Sequence, residues 1–140
     1  MKNIHWFKLC LLALFLQAAS CERFAERDYP IYLQNNASHS IGYYFATGGN
    51  EGTTFPDTTL PVSNRYVGTN LAPGKAYGYH SGLPWNGFFE EHERLLVYVF
   101  HADTLAAYDW PQLREDYNIL RRYELDLSEL EAMAWRISYP

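Results

Sequence analysis

The chain has 140 residues, 48% of them hydrophobic and 17% aromatic, with 11 basic side chains against 16 acidic ones and a net charge of −5. That balance argues against nucleic acid as a partner, because phosphate binding needs clustered positive charge. Two cysteines are too few for a disulfide scaffold.

Residues 1–20 read as an export signal. Lys2 and Lys8 flank the start of an apolar run over residues 9–16, and no acid precedes Glu22. A membrane-spanning helix needs about 20 apolar residues, whereas Gln17 interrupts this run well short of that. Ala18, Ala19 and Ser20 then lead into Cys21, which fits ordinary cleavage or a lipobox with acylation at Cys21. The lipobox reading is preferred, because plain cleavage leaves a reactive thiol at the new terminus. Ala18 stands where the common lipobox has leucine. Cys10 leaves with the signal, so the remaining chain has no internal disulfide and its fold rests on its core. Loss of Lys2 and Lys8 leaves nine basic residues against sixteen acids, a net charge of −7. An acidic domain is not held on an anionic bilayer by its own surface, so the lipid is the expected attachment to the membrane.

Residues 21–29 are expected to form a tether and residues 30–140 a single β-rich domain. All twelve tyrosines follow the signal; they suit strands and contact surfaces with one dry and one wet end. Residues 30–36 and 40–46 are β-rich runs joined by Asn, Ala, Ser and His, which predicts a hairpin. Alternation puts Ile41, Tyr43 and Phe45 on one face and Gly42, Tyr44 and Ala46 on the other. Residues 47–61 collect three glycines and two prolines and predict an irregular loop, of a length uncommon unless functional or disordered.

Strands are predicted over residues 65–69 and 76–81, with Pro73-Gly74 turning between them, and residues 83–93 as a connector. Residues 95–102 form the clearest strand. Leu95, Val97 and Val99 face one way and Leu96, Tyr98 and Phe100 the other, so it belongs at the centre of the domain. Asp109, Pro111 and Gln112 mark the start of a short helix, with Trp110, Leu113 and Tyr117 on one side. Residues 118–124 fit a strand or an extended link. A second short helix starts at Asp126, with Leu125 and Leu130 placed as a staple and Ser128 with Glu131 as an alternative capping box. Trp135, Ile137 and Tyr139 alternate with polar residues in a half-buried terminal strand.

The block "VFHADTLAAYDWPQLREDYNILRRYELDLSELEAMAWRISYP", with the earlier "NNASHSIGYY", "FPDTTLP" and "LAPGK", resembles a group of small uncharacterised lipoproteins from Bacteroidetes. The likeness covers most of the chain after the signal. It implies a bacterial envelope lipoprotein, in a phylum where lipoboxes are loose, and it carries over no catalytic residue. Asp57-Thr58-Thr59 and Asp103-Thr104-Leu105 resemble the O-glycosylation sequon of that phylum, with Thr58 and Thr104 as acceptors.

Candidate chemistry is sparse. His101 and Asp103 lie two apart at a strand end, with Glu90, Glu91, His92 and His80 near in sequence. The spacing falls short of a strict ligand pattern, so no metal is assigned; the plainer reading is a sheet-edge His101 before a turn at Asp103. There is no G-x-S-x-G and no cysteine nucleophile beyond Cys21. Scattered acids leave an unrecognised hydrolase as an alternative. Trp85, Phe88 and Phe89 are close enough in sequence to form an aromatic contact platform, while Trp110 and Trp135 read as core.

The expected fold is mainly β: a small antiparallel β-sandwich of immunoglobulin-like kind with two short C-terminal helices, or alternatively α+β. The expected function is a lipid-anchored, non-catalytic envelope protein, placed at the outer membrane, that binds or supports a protein or glycan partner and needs no cofactor. A structural subunit of an envelope complex is the other alternative.

Overall fold

The structure is a computed structural model and describes residues 29–49, 52–82 and 84–140. The predicted signal, Cys21 and all of the tether before Tyr29 lie outside the described residues.

The architecture is mainly β, with two sheets and four short helices among the described residues. The strands are β1 (Ile31–Asn35), β2 (Ile41–Ala46), β3 (Gly68–Leu71), β4 (Ala76–Tyr79), β5 (Leu95–His101), β6 (Arg121–Leu125) and β7 (Arg136–Tyr139). The helices are α1 (Trp85–Glu91), α2 (Ala102–Ala107), α3 (Trp110–Glu115) and α4 (Leu127–Ala132). One sheet runs β4-β1-β7 and the other β3-β2-β5-β6. None of these helices is long and apolar enough to cross a membrane.

β5 is the centre of the four-stranded sheet, as its apolar run predicts. It pairs antiparallel with β2, Tyr43 opposite Val99, and with β6, Val97 opposite Tyr123. Its first six residues are buried. Leu95, Val97 and Val99 enter one cluster with Ile31, Leu33 and Ile137 of the other sheet, closed by Trp85 of α1 and Leu130 of α4. Leu96, Tyr98 and Phe100 enter a second cluster on the opposite face, against Leu60 and against Trp110 and Leu113 of α3. A strand with an apolar residue at every position is stable only when both faces are covered.

β1 and β2 do not form the predicted hairpin. β1 pairs with β4 and β7, whereas β2 pairs with β3 and β5, so the connection crosses from one sheet to the other. Asn35 makes the crossing: it is fully buried, its Nδ2 donates to the carbonyls of His39 at 2.9 Å and Leu71 at 2.8 Å, and its Oδ1 accepts from the Ala37 amide at 3.0 Å. These bonds replace the ladder that a hairpin would supply. β3 and β4 likewise flank the Pro73-Gly74 turn but belong to different sheets. β3 also begins at Gly68, three residues later than predicted, because residues 65 and 66 form a turn.

An entirely antiparallel arrangement is also corrected. β1 and β7 pair parallel, Leu33 opposite Ile137, because the returning C-terminal strand enters on the side of β1 that β4 leaves free. The predicted connector at 83–93 contains α1, in which Trp85, Phe88 and Phe89 fall at i, i+3 and i+4 and turn one apolar side to the core. α2 is a further unpredicted helix, with His101 as its cap accepting the Asp103 amide on Nδ1 at 3.2 Å. Asp109 caps α3 by position only, making no side-chain cap bond. α4 carries a full capping box: Asp126 Oδ1 accepts the Glu129 amide at 2.8 Å and Glu129 Oε2 accepts the Asp126 amide at 2.9 Å.

Candidate functional site

The clearest concavity forms where the two sheets part. Alternation along β2 sends Tyr43 and Phe45 toward the other sheet, and alternation about Gly78 does the same for Tyr77 and Tyr79 of β4. The four rings meet as two cross-sheet pairs: Tyr43 and Tyr77 with centroids 4.4 Å apart, and Phe45 and Tyr79 at 4.6 Å and nearly parallel. Such offset contacts suit the ring quadrupole and hold each ring against its partner.

β3 pairs with β2 only as far as Tyr43 opposite Gly68. Past that point the edge of β2 has no described strand beside it, and the turn carrying Arg65 and Tyr66 and the glycines at 48, 49 and 52 frame an open cleft of about 600 Å³. Gly68 is the position that lets the Tyr43 ring lie down on the neighbouring strand: a Cβ there would collide with the ring. At the other end, the Thr47 and Tyr79 hydroxyls hydrogen-bond at 2.9 Å. Tyr66 is 68% exposed, and the Arg65 guanidinium lies 5.5 Å from the centre of its ring.

The electrostatics of the cleft are set by its phenols. Burial, and then the neighbouring Tyr77, push the Tyr43 hydroxyl above its ordinary range. Burial does the same for Tyr44, against the lowering effect of the Thr53 backbone amide. Both phenols therefore stay neutral donors through the physiological range. Among the described residues lining the cleft there is no carboxylate and no imidazole, and Arg65 is the single charged group.

The residues singled out in the sequence lie elsewhere. Trp85 is 2% exposed, and its Nε1 donates to the Tyr29 carbonyl at 2.7 Å. Phe88 and Phe89 are half-buried around it. This trio stands behind the cleft: the Tyr79 ring lies 6.0 Å from Trp85 on one side and 4.6 Å from Phe45 on the other.

His101 Nδ1 and Asp103 Oδ2 are 3.9 Å apart, but that nitrogen already accepts the Asp103 amide. The His101 ring stacks on His39 at 4.6 Å. Among the described residues no three His, Cys, Asp or Glu side chains converge. Thr58 lies half-buried in the long loop and its carbonyl accepts from the hydroxyls of Tyr98 and Tyr117, each at 3.0 Å. Thr104 lies half-buried in α2.

Tyr43, Phe45, Arg65, Tyr66, Tyr77 and Tyr79 were not singled out from the sequence. Two signals pointed toward them: glycines inside predicted strands, which mark close approach, and the long glycine-rich loop, a frequent carrier of function. No protein family, curated protein or solved structure matches this chain.

Proposed function

We propose that the protein is a lipid-anchored, non-catalytic saccharide-binding module of a bacterial cell envelope, with the aromatic cleft between the sheets as its binding surface. The observation that carries this reading is the cleft itself: flat tyrosine rings and hydroxyl groups, without a carboxylate or imidazole among its described lining residues. Sugar rings offer C–H faces that pack on aromatics and hydroxyls that bond to phenols and to Thr47. Catalysis of glycoside hydrolysis, by contrast, calls for two carboxyl groups across one cleft.

The wider reading follows from the sequence. Acylation at Cys21 anchors the chain to the outer membrane, and the resemblance to Bacteroidetes lipoproteins supports that placement. For the fold, we read the two sheets as the faces of a small immunoglobulin-like β-sandwich, supported by the one cluster they share. The parallel β1–β7 pair is its departure from a wholly antiparallel form.

The test is retention of the full-length protein, in detergent, on an immobilised panel of neutral and acidic oligosaccharides. Wild type should be retained by at least one class. Tyr66→Ala, at an exposed position, should lose retention with an unchanged melting temperature; Tyr77→Leu, which keeps apolar bulk and loses the flat ring, should lose retention while still melting cooperatively, at a lower temperature because its contact with Tyr43 is gone. Retention of both variants at wild-type strength would move the binding surface elsewhere. The anchor is tested separately: a fatty-acid analogue fed to cells should label wild type and leave Cys21→Ala unlabelled.

A further inference from the structure

Arg65 differs from most other arginines among the described residues in what holds its head group. Arg94 pairs with Glu129 at 3.5 Å and Arg122 with Glu124 at 2.6 Å. Arg114 Nε donates to the Leu60 carbonyl at 2.8 Å, and Arg136 lies over Tyr32 and donates to Gln34. The Arg65 guanidinium has the Tyr66 ring beside it and enters none of the ion pairs or side-chain hydrogen bonds among the described residues. A contact with a ring leaves the N–H donors of a guanidinium available, in a planar fork that matches a carboxylate.

This free fork sits at the cleft as its single charged described group, on a chain with sixteen acids and a net charge of −5. Arg121, over Tyr123, likewise has a ring and no described carboxylate beside it; what distinguishes Arg65 is that it lines the cleft. The neighbouring Tyr66 ring, 68% exposed, offers a flat surface beside that fork. Together they make a two-part surface: a face for a sugar ring and, next to it, a clamp for a planar acid.

We propose that the cleft selects acidic saccharides, glycans bearing a uronate, sialate or similar carboxylate, with Arg65 binding the acid group and Tyr66 and Tyr77 packing on the ring. This rests on the saccharide-binding reading above. It assigns the selectivity to one side chain and the general affinity to the rings. Because Arg65 is exposed and packs in neither core cluster, its removal leaves the fold in place.

The experiment measures full-length wild type and Arg65→Gln against matched pairs of oligosaccharides: oligogalacturonate and its neutral methyl ester, and sialylated and desialylated lactose. Wild type should favour the acidic member of a pair by about tenfold, the weight of one charge-assisted hydrogen-bonded contact. Arg65→Gln should bind the two members equally, at the strength wild type shows for the neutral one. Equal binding of acidic and neutral members by wild type, with loss in Tyr66→Ala, would overturn the acid selection and keep the saccharide reading. An acid preference that survives in Arg65→Gln would also overturn it, by placing the clamp on another residue. Absence of binding to every member would overturn both readings.

Discussion

Asn35 is the one fully buried polar side chain among the described residues of the core, and its three hydrogen bonds decide where the chain leaves one sheet for the other. Ile31 and Leu33, on the same face of β1, are buried apolar fillers; Asn35 instead supplies hydrogen bonds to backbone groups that are buried beside it. Asn35→Leu keeps the branched outline in a larger, apolar form and strands the carbonyls of His39 and Leu71, so we expect a loss of about 3 kcal/mol. Urea denaturation of the two proteins measures this. A change within the scatter of surface substitutions, about 0.5 kcal/mol, would mean that water replaces the amide at no cost. The Tyr43 ring over Gly68 is held by the same kind of single-position requirement, and there the space rather than the hydrogen bond is what the residue supplies.

The four helices have six or seven residues each, too short to stand on propensity. They exist because each seals an edge of a cluster: α1 and α4 the core between the sheets, α3 and, through Leu105, α2 the outer face of β5. α4 adds its own start signal. The Ser128 hydroxyl, and then the Glu129 amide, hold the Asp126 carboxyl below its ordinary value of 3.8. A carboxyl lowered in the folded state stabilises fully above the unfolded value and loses that contribution as pH falls through the folded one. Asp126→Ala should therefore lower the melting temperature by a constant amount near neutral pH, with the gap to wild type closing below about pH 4. Thermal melts between pH 2 and 7 check this. A gap that persisted at the lowest pH would show that the cap acts through packing, not through its charge.

For the molecule as a whole, stability should be limited on the alkaline side by its tyrosines. Burial pushes the Tyr98 phenol far above its ordinary value of 10.0, its hydroxyl being given to the Thr58 carbonyl at 3.0 Å. Tyr43, Tyr44 and Tyr123 are raised chiefly by the same desolvation. A phenol raised in the folded state costs nothing below the unfolded value and favours unfolding as pH climbs toward the folded one. The protein should thus hold its stability up to about pH 10 and unfold cooperatively above it. The raised tyrosines should ionise together with unfolding in an ultraviolet titration, and a Tyr98→Phe variant should shift that transition to higher pH. Stepwise ionisation without unfolding would place these rings in contact with water.

Much of the local structure is legible in the sequence, and the pairings that depend on distant partners are not. Residues 95–101 declared a doubly buried strand because period-two alternation and uniform apolarity are properties of a few consecutive side chains. The start of α4 was legible because a cap and its partner lie three residues apart, and the long loop was legible from its glycines and prolines. The helical spacing of Trp85, Phe88 and Phe89 was present too, hidden by a glycine and by adjacent turn residues. The sheet that each strand joins was not legible: the runs at β1 and β2 suit a hairpin, and only the buried demands of Asn35 and the late return of β7 separate them. The cleft was out of reach for the same reason. Tyr43 is neighbour to Tyr77 because two sheets meet there, and Arg65 faces them because β3 stops at Gly68. Burial patterns are written in local periodicity, whereas contacts between sheets depend on the single packing that buries every strand at once.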